Sequence, residues 1–450
     1  MRTAVIGLAA LLLACNLSDS AELQQANFRG WESLQLKNEF ICLDVTPQLG
    51  GRILGYQLGS HAFLWANPLL QGKLPPPTRL AADGSWLNWG GDKLWPAPQG
   101  WDSAEQWPGP PDPVLDGSPQ QARVLDRQGA SVAVELNSPP DQTTGIQFSR
   151  TIRVLDGSSR VHVVATMTNV SDRPIQWGIW TVTQLDAGNP DGVGWNPYWN
   201  TYLPMNPHSH FPAGYRILFG SAHNPEIQPN AIAGVLKLQY MWIVGKVGLD
   251  SSSGWMANAD GASGYVFVQK FAHDPNAVYP DGSSIELWTN GVGTIKAWAR
   301  TVRMQTDPAE NPYIVESELL GPKVRLMPRQ HSSFAYDWYS ANIGGDFPIL
   351  SCSDYGCSCQ PLVVSRDGQK IRIDGRFGIF YQGRLGIEFL DAQGRQIGAA
   401  AMLGAISPLH PLVLDSLSVP APTGARAIRL TIYRLDFSQI GELEQTAISQ

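Results

Sequence analysis

The chain has 450 residues, of which 43% are hydrophobic and only 16% are charged, and its formal net charge is −7. This composition excludes a disordered chain, because 16 Trp among many apolar residues can bury a large core. It also excludes nucleic-acid binding by bulk electrostatics, since no excess of basic residues is present to neutralise phosphates. The 45 Gly and 34 Pro argue against a helical bundle and favour a turn-rich all-β protein.

The N-terminus has the pattern of an export signal. Arg2 precedes an apolar run over residues 4–14, which is too short to span a bilayer. The segment Leu12-Leu13-Ala14-Cys15 resembles the lipobox of bacterial lipoproteins. An ordinary secretory signal that is cleaved somewhat later is the alternative explanation of the same run.

The lipobox resemblance implies a signal peptide over residues 1–14, lipidation at Cys15 and a polar tether over residues 15–27. The mature protein would then be attached to the membrane through its N-terminal lipid. Asn16 rather than an acidic residue follows the Cys, which by resemblance to enterobacterial sorting implies the outer membrane. We therefore expect a lipid-anchored protein of the bacterial cell envelope that faces the periplasm or the cell surface.

Segments with alternating apolar and polar residues and many β-branched or aromatic side chains recur along the chain, separated by turn signals. More than fifteen such segments predict stacked antiparallel sheets. The clearest are residues 39–45, 130–136, 146–155, 160–168, 175–183, 264–271, 284–289 and 312–320.

The pattern of strands is interrupted near residues 342–361. We therefore predict a large all-β domain over residues 28–345, a Cys-containing linker over 346–361 and a small β-sandwich over 362–450. In the last region the predicted strands are 362–365, 369–378, 384–390, 396–402, 411–418 and 426–434. This accessory domain contains no evident reactive constellation and is a candidate packing or glycan-binding module.

The linker contains three closely spaced cysteines, Cys352, Cys357 and Cys359. In an oxidising compartment such cysteines usually pair, so a structural disulfide among these three is expected, with its connectivity open. The spacing matches no common zinc site, and no metal or cofactor is expected. Cys42 lies in an apolar strand-like run and is predicted to be a buried thiol.

Tryptophan is concentrated in two stretches, residues 86–107 and residues 177–199. The first stretch is rich in Pro and Gly and contains Asp92, Lys93, Asp102 and Glu105, which is typical of a surface loop with a function. An indole offers a flat apolar face and one N–H donor, and both suit the C–H face of a pyranose ring. The alternative is that these side chains fill the core beneath a long loop.

Two carboxylates share one face of a predicted strand. Glu316 and Glu318 are two residues apart, so their side chains lie about 6.6 Å apart on the same side. Such a pair raises the pKa of at least one carboxyl and prepares a general acid or base. A solvated outer face with alternating charges is the equal alternative. A separate pair, His208 and His210, fits either a metal site or ordinary hydrogen bonding.

Several motifs resemble galactose-mutarotase-like proteins. They are Val45-Thr-Pro-Gln-Leu-Gly-Gly-Arg-Ile-Leu54, Asn88-Trp-Gly-Gly-Asp-Lys-Leu-Trp-Pro96, Pro113-Val-Leu-Asp116, Tyr279-Pro-Asp-Gly282, Glu286-Leu-Trp-Thr-Asn290 and Glu316-Ser-Glu-Leu-Leu-Gly-Pro322. As a set they resemble a bacterial branch of that superfamily known only as a domain of unknown function. The resemblance covers about residues 28–340 and implies a β-supersandwich of two large antiparallel sheets with a carbohydrate groove on its concave face.

The resemblance also suggests roles for individual residues. Glu316 or Glu318 falls where mutarotases place their Glu base. The positions of the mutarotase His acids read Trp89-Gly90-Gly91 and Gly178-Ile-Trp180-Thr-Val-Thr-Gln184 here, so Asp92 or Lys93 becomes the candidate acid. The candidate sugar contacts are Arg52, Trp89, Trp95, Trp180, Lys270 and Trp288.

The sequence therefore predicts a monomeric envelope lipoprotein that binds a sugar or oligosaccharide in the groove of a mutarotase-like domain. Two alternatives stay open. One is a glycan-active enzyme, either a sugar epimerase or a polysaccharide lyase, that uses Glu316 and Glu318. The other is a structural envelope protein with a vestigial groove.

Overall fold

The computed structural model describes residues 20–74, 86–100, 106–110, 112–297 and 300–449. In these residues the chain is built from β-strands and two short 3₁₀ turns, Pro68–Leu70 and Pro280–Gly282. None of the described segments is a helix with the length and apolar character needed to cross a membrane. Cys15, the predicted lipidation site, lies outside the described residues.

The strands are numbered in chain order. The first twelve are β1 (Ala21–Phe28), β2 (Trp31–Lys37), β3 (Ile41–Thr46), β4 (Arg52–Leu58), β5 (His61–Ala62), β6 (Asp92–Ala97), β7 (Gln121–Asp126), β8 (Gln128–Gly129), β9 (Ser131–Asn137), β10 (Ile146–Leu155), β11 (Val161–Asn169) and β12 (Ile175–Asp186). The next thirteen are β13 (Trp199–Pro204), β14 (Arg216–Phe219), β15 (Ile227–Ile232), β16 (Val235–Gln239), β17 (Gly245–Leu249), β18 (Trp255–Asp260), β19 (Tyr265–Phe271), β20 (Ile285–Thr289), β21 (Thr294–Ala297), β22 (Arg300–Arg303), β23 (Ile314–Leu320), β24 (Val324–Leu326) and β25 (His331–Asn342). The last eight are β26 (Ser351–Cys352), β27 (Gly356–Asp367), β28 (Lys370–Ile379), β29 (Gly383–Leu390), β30 (Ala401–Ile406), β31 (Leu412–Pro420), β32 (Ala427–Tyr433) and β33 (Gln439–Ala447).

Two large antiparallel sheets face each other. The thirteen-stranded sheet, called the large sheet below, has the order β14-β17-β20-β23-β12-β6-β4-β3-β2-β1-β8, with β5 beside β4 and β24 beside β12. The ten-stranded sheet has the order β15-β16-β13-β18-β19-β25-β11-β10-β9-β7. Side chains of both sheets form one apolar core, which includes Ile53 and Tyr56 from the large sheet and Ile152 and Val163 from the other. The predicted all-β class and the two stacked sheets are confirmed.

The periodicity of the sequence explains these strands. Along β10 the side chains alternate strictly between buried and half-buried positions, as expected where one face of a strand packs on a core. The same alternation continues in β11, its antiparallel neighbour. Strands with one apolar face can be stable only against a second layer, which the facing sheet provides.

The C-terminal strands form two four-stranded sheets, β26-β27-β28-β31 and β30-β29-β32-β33, around an apolar cluster of their own. They pack on the outer face of the ten-stranded sheet, where the rings of Tyr339 and Phe380 are stacked with centroids 4.6 Å apart. Part of the predicted linker is already in strands β26 and β27. The domain boundaries proposed from the sequence stay predictions.

The three clustered cysteines lie on the first C-terminal hairpin. Cys352 in β26 and Cys357 in β27 are directly opposite each other, and Cys359 follows two residues later. All three are free thiols in the structure, and a disulfide among them stays a prediction. Cys42 is buried in β3, as predicted.

Candidate functional site

The outer face of the large sheet carries a row of charged side chains on adjacent strands. Residues directly opposite each other in neighbouring strands point to the same side, and the register aligns Lys93, Val182, Glu318 and Glu286. Lys246 on β17 is aligned with the next row, which holds Trp288 and Glu316 on the same face. Five consecutive strands, from β17 to β6, therefore bring distant parts of the sequence together.

The Lys246 ammonium bridges two buried carboxylates of the first row, Glu286 and Glu318. The Lys246 Nζ lies 2.7 Å from Glu286 Oε2 and 2.8 Å from Glu318 Oε2. It also lies 4.5 Å from the centre of the Trp180 ring, whose Nε1–H donates a 2.8 Å hydrogen bond to Glu318 Oε2. The other oxygens of both carboxylates, Glu286 Oε1 and Glu318 Oε1, are buried and have no hydrogen-bond partner.

The charge balance of this cluster favours a bound proton. Burial raises the pKa of Glu318 to about 8; the Lys246 ammonium opposes the rise, and the Glu286 and Glu316 carboxylates add to it. Burial also raises the pKa of Glu286. Because one ammonium serves two buried carboxylates, Glu318 is suited to donate a proton near neutral pH.

A second lysine occupies the neighbouring part of the face. Lys93 Nζ is buried without a hydrogen-bond partner, 3.9 Å from Glu316 Oε1 and 4.8 Å from the centre of the Trp95 ring. Burial lowers the pKa of Lys93 to about 8, although the Glu316 carboxylate raises it. Glu316 also accepts a 2.6 Å hydrogen bond from Gln184 Nε2. The structure thus brings Lys93, Glu316 and Glu318 together on one face of the sheet.

Arg52 and the first tryptophan stretch form a wall beside these charges. The Arg52 guanidinium is buried and lies 2.6 Å from Asp116 Oδ1. Asp116 also accepts hydrogen bonds from the indole nitrogens of Trp86, at 2.6 Å, and Trp95, at 3.1 Å. Trp95 in turn packs against Trp180, with ring centres 5.3 Å apart. Arg52, Trp95 and Trp180 therefore support the site, but Trp95 and Trp180 are only 4% and 3% exposed and offer no open stacking surface.

A pocket of about 190 Å³ opens beside Trp180, Lys246 and Glu286. Its lining combines charged, aromatic and aliphatic side chains. It consists of Ala97, Gln99, Trp180, Arg216, Leu218, Phe219, Lys246, Asp281, Glu286 and Leu320. Asp281 adopts a left-handed backbone conformation, with φ of 54°, which is uncommon outside glycine and often marks a constrained functional position.

Asp92 is placed on the other side of the sheet, which corrects its prediction as a catalytic acid. Successive residues of a strand point to opposite faces, so Asp92 and Lys93 diverge. Asp92 forms a buried ion pair with Arg150 of the ten-stranded sheet and accepts a 2.6 Å hydrogen bond from Thr183 Oγ1. It belongs to a polar network between the sheets.

Two other predicted sugar contacts are also placed away from the pocket. Trp89 is buried in a separate apolar cluster with Trp31, Leu49 and Leu54. Lys270 lies on β19 of the ten-stranded sheet and pairs with Asp354 at 2.6 Å. Trp89 is away from the pocket because it packs among large apolar side chains. Lys270 is away from it because β19 belongs to the ten-stranded sheet.

The remaining predictions concern Trp288 and the two histidines. Trp288 is half-buried on the outer face beside Phe219, with ring centres 6.0 Å apart. His210 pairs with Asp250 through a 2.9 Å contact. Among the described residues no group of three or more His, Cys, Asp or Glu is arranged to hold a metal ion.

The sequence did not indicate Arg216 or Lys246, although both line the pocket. Asp281 and Glu286 lie within motifs of the mutarotase resemblance but were not predicted as site residues. Glu286 and Trp288 are two residues apart on β20, the same spacing as Glu316 and Glu318, so their shared face was detectable. Lys246 lies in an apolar strand, where an isolated lysine signals a buried partner.

Replacement of Glu318 by Gln is expected to change how stability depends on pH. The folded chain holds a proton on Glu318 up to about pH 8, whereas the unfolded chain releases it near 4.5. This proton stabilises the wild type fully below about pH 4.5, and the contribution is lost as pH rises through 8. Urea unfolding from pH 4 to 9 should show this decline in the wild type and a weaker decline in the variant. Parallel curves would contradict the assignment, and Glu32→Gln, at an exposed position, is the control.

Comparison with known proteins gives a family match for part of the chain. Residues 31–191 match a family model described as "Domain of unknown function (DUF4380)". No curated protein sequence matches the chain.

Solved structures similar to the chain share little sequence with it. A TPR-domain containing protein from Parabacteroides distasonis is 14% identical with a TM-score of 0.45, and the match covers 72% of this chain and 49% of that one, so the chain spans about half its length. A putative mutarotase from Salmonella typhimurium is 12% identical with a TM-score of 0.45, covering 71% and 94%. A galactose mutarotase-like protein from Clostridium acetobutylicum is 9% identical with a TM-score of 0.44, covering 72% and 100%. The predicted resemblance to a family of unknown function is thus confirmed over residues 31–191.

Proposed function

We propose that this protein binds carbohydrate in the pocket between Trp180, Arg216 and Glu286. The observation that carries the proposal is the pair of buried carboxylate oxygens, Glu286 Oε1 and Glu318 Oε1, that lack a hydrogen-bond partner beside the pocket. Buried polar atoms are nearly always paired, so atoms without a partner next to a cavity suggest that a ligand supplies the partner. Glu286 Oε1 needs a donor, whereas a protonated Glu318 needs an acceptor for its O–H. A sugar hydroxyl can serve as either.

The lining of the pocket supports an uncharged polar ligand. Two cations, Arg216 and Lys246, are balanced by two carboxylates, Asp281 and Glu286, so the lining has no strong preference for a charged molecule. The same pocket includes the apolar side chains of Leu218, Phe219 and Leu320 and part of Trp180. A pyranose has polar hydroxyls and apolar C–H faces, and this mixed lining can accommodate both.

The location of the protein is part of the proposal. We place it in the bacterial cell envelope, anchored by lipid at Cys15, because the N-terminal sequence resembles a lipoprotein signal. Its carbohydrate ligand would then be a component of the envelope or a sugar that reaches it.

Binding is tested with ligand-observed NMR on the mature, unlipidated protein and a panel of single-anomer glucose, galactose and mannose. We expect saturation transfer to at least one sugar, and a large loss of it in Arg216→Ala, which removes a polar group from the pocket wall. The matched control is Arg123→Ala, an exposed arginine on β7. Transfer that is equal in the wild type and Arg216→Ala would exclude this pocket as the binding site.

A second candidate function is supported by the raised pKa of Glu318. A protonated acid near pH 8, about 6.6 Å along the strand from the Glu316 carboxylate, is a plausible acid–base pair for a sugar epimerase or a polysaccharide lyase. The same spectra report the exchange between anomers. Faster exchange that disappears in Glu318→Gln would establish the enzyme, whereas binding without faster exchange supports recognition of the sugar or chemistry on longer glycans.

A further inference from the structure

Three aromatic side chains converge beyond the strand ends next to the candidate site. Trp195 follows β12, Trp242 precedes β17 and Tyr313 precedes β23. The indoles of Trp195 and Trp242 are stacked, with centres 6.3 Å apart and planes inclined by 25°. The centre of the Tyr313 ring lies 5.0 Å from that of Trp242, with the ring planes inclined by 66°. We call these three residues the aromatic platform.

The turn that carries Trp242 is held in a strained conformation by a buried acid. Trp242 has φ of 56°, which is unusual for a bulky residue. The Glu226 carboxylate accepts backbone hydrogen bonds from Met241, at 2.7 Å, and Ile243, at 3.2 Å, on either side of it. Glu226 is itself fully buried. A buried carboxylate thus fixes the orientation of an indole near the surface, although such strain costs stability.

Trp195 is displayed from a separate, well-defined loop. Gly188 and Trp195 form a β-bridge, and Asn196 N–H donates a 2.8 Å hydrogen bond to Ala187 O. Trp195 is 37% exposed, and nearby Tyr198 is 52% exposed. Three different loops position the aromatic side chains, and Trp195 stays exposed, so the platform is accessible from solvent.

We propose that the aromatic platform is a second carbohydrate subsite, which binds a sugar unit of the same chain whose other end occupies the pocket. This inference rests on the proposed function. Tyr313 lies just before β23 and five residues before Glu318, a separation of at most about 16 Å along an extended chain. Trp288 and Glu316 form the row between them on adjacent strands. A single sugar is too small to contact both ends, so the inferred ligand is an oligosaccharide.

The chemistry of the platform favours a sugar over a protein partner. Stable protein interfaces bury about 800 Å² on each side, and their centres are poor in charged residues. The loop from Asn189 to Trp195 instead presents Asn189, Asp191 and several small residues beside the exposed indole. An exposed indole with hydrogen-bonding groups beside it matches a pyranose ring.

The test compares hexasaccharides of β-1,4-linked glucose, galactose and mannose with the corresponding monosaccharides, using calorimetry. We expect the wild type to bind one hexasaccharide more tightly than its monosaccharide. Trp195→Ala should weaken hexasaccharide binding by about tenfold without affecting the monosaccharide, and Trp195→Phe should restore most of the loss. Phe437→Ala, which removes an exposed aromatic side chain in the C-terminal sandwich, is the matched control.

The outcomes separate the platform from the pocket. Unchanged hexasaccharide affinity in Trp195→Ala overturns the platform, and so does equal affinity of the wild type for the two ligands. If Arg216→Ala then still weakens the binding of both ligands, the pocket proposal is supported without the platform. If Trp195→Ala weakens hexasaccharide binding and Arg216→Ala changes the affinity for neither ligand, the platform is supported and the pocket proposal fails. Absence of binding to every sugar overturns both.

Discussion

Lys246→Met is expected to destabilise the fold by about 3–5 kcal/mol near pH 8. The substitution keeps most of the apolar stem of the side chain but removes its ammonium group. Among the described residues, no other ammonium lies within 3 Å of Glu286 or Glu318. Two buried carboxylates would then face each other without a cation. Urea unfolding monitored by tryptophan fluorescence measures the change.

The penalty of Lys246→Met should depend on pH. At pH 4 both carboxylates of the variant are protonated, because their pKa values are already raised by burial in the wild type. The loss should therefore be much smaller at pH 4 than at pH 8. Adding Glu286→Gln and Glu318→Gln to Lys246→Met should recover part of the stability. A loss below about 1 kcal/mol at pH 8, similar to that of the exposed Arg123→Met control, would contradict this description of the cluster.

Arg150→Met is expected to cost about 3–5 kcal/mol, because it leaves Asp92 charged and buried between the two sheets. Among the described residues, the hydroxyl of Thr183 is then the remaining side-chain donor to Asp92. Arg150 also donates a 3.0 Å hydrogen bond to the Tyr336 hydroxyl, so its loss disturbs both sheets. Unfolding free energies of Arg150→Met, Asp92→Asn and the double variant form a mutant cycle that measures the coupling of the pair.

The cycle also distinguishes a structural role of Asp92 from the catalytic role first inferred from the sequence. We expect the double variant to be more stable than the sum of the single changes predicts, by at least 1 kcal/mol. The Arg123–Glu135 pair, where the arginine is 67% exposed, should show a coupling below about 1 kcal/mol. Additive changes at Asp92 and Arg150 would argue against the inter-sheet ion pair.

The sequence predicted the strands well because their alternation follows directly from burial on one face. The predicted strand 146–155 coincides with β10, and Glu316 and Glu318 lie on one face of β23 as their spacing required. The face on which a residue lies relative to its neighbour also follows from the period of two. Applied to Asp92 and Lys93, that rule would have shown that only one of them can join the carboxylates.

Other features of the site depend on which strands become neighbours, and a single sequence does not encode this locally. Lys246 and Glu318 meet because β17, β20 and β23 are adjacent in the sheet, although the residues are far apart in the chain. Lys270 was predicted beside them but belongs to the facing sheet. The burial of Trp89 could not be predicted for a different reason. A tryptophan in a Pro/Gly-rich loop can lie on the surface or in the core, and the sequence alone does not decide between them.

The most direct test of the pocket is an NMR spectrum of the indole N–H groups recorded during titration with a sugar that the protein binds. Trp180 lines the pocket, and its indole donates to Glu318, so its signal, assigned with Trp180→Phe, reports on both. Trp89, in the separate apolar cluster, serves as the internal reference. We predict that the Trp180 signal shifts in proportion to the occupied fraction while the Trp89 signal stays fixed. A saturated titration in which the Trp180 signal does not move would contradict carbohydrate binding at this pocket.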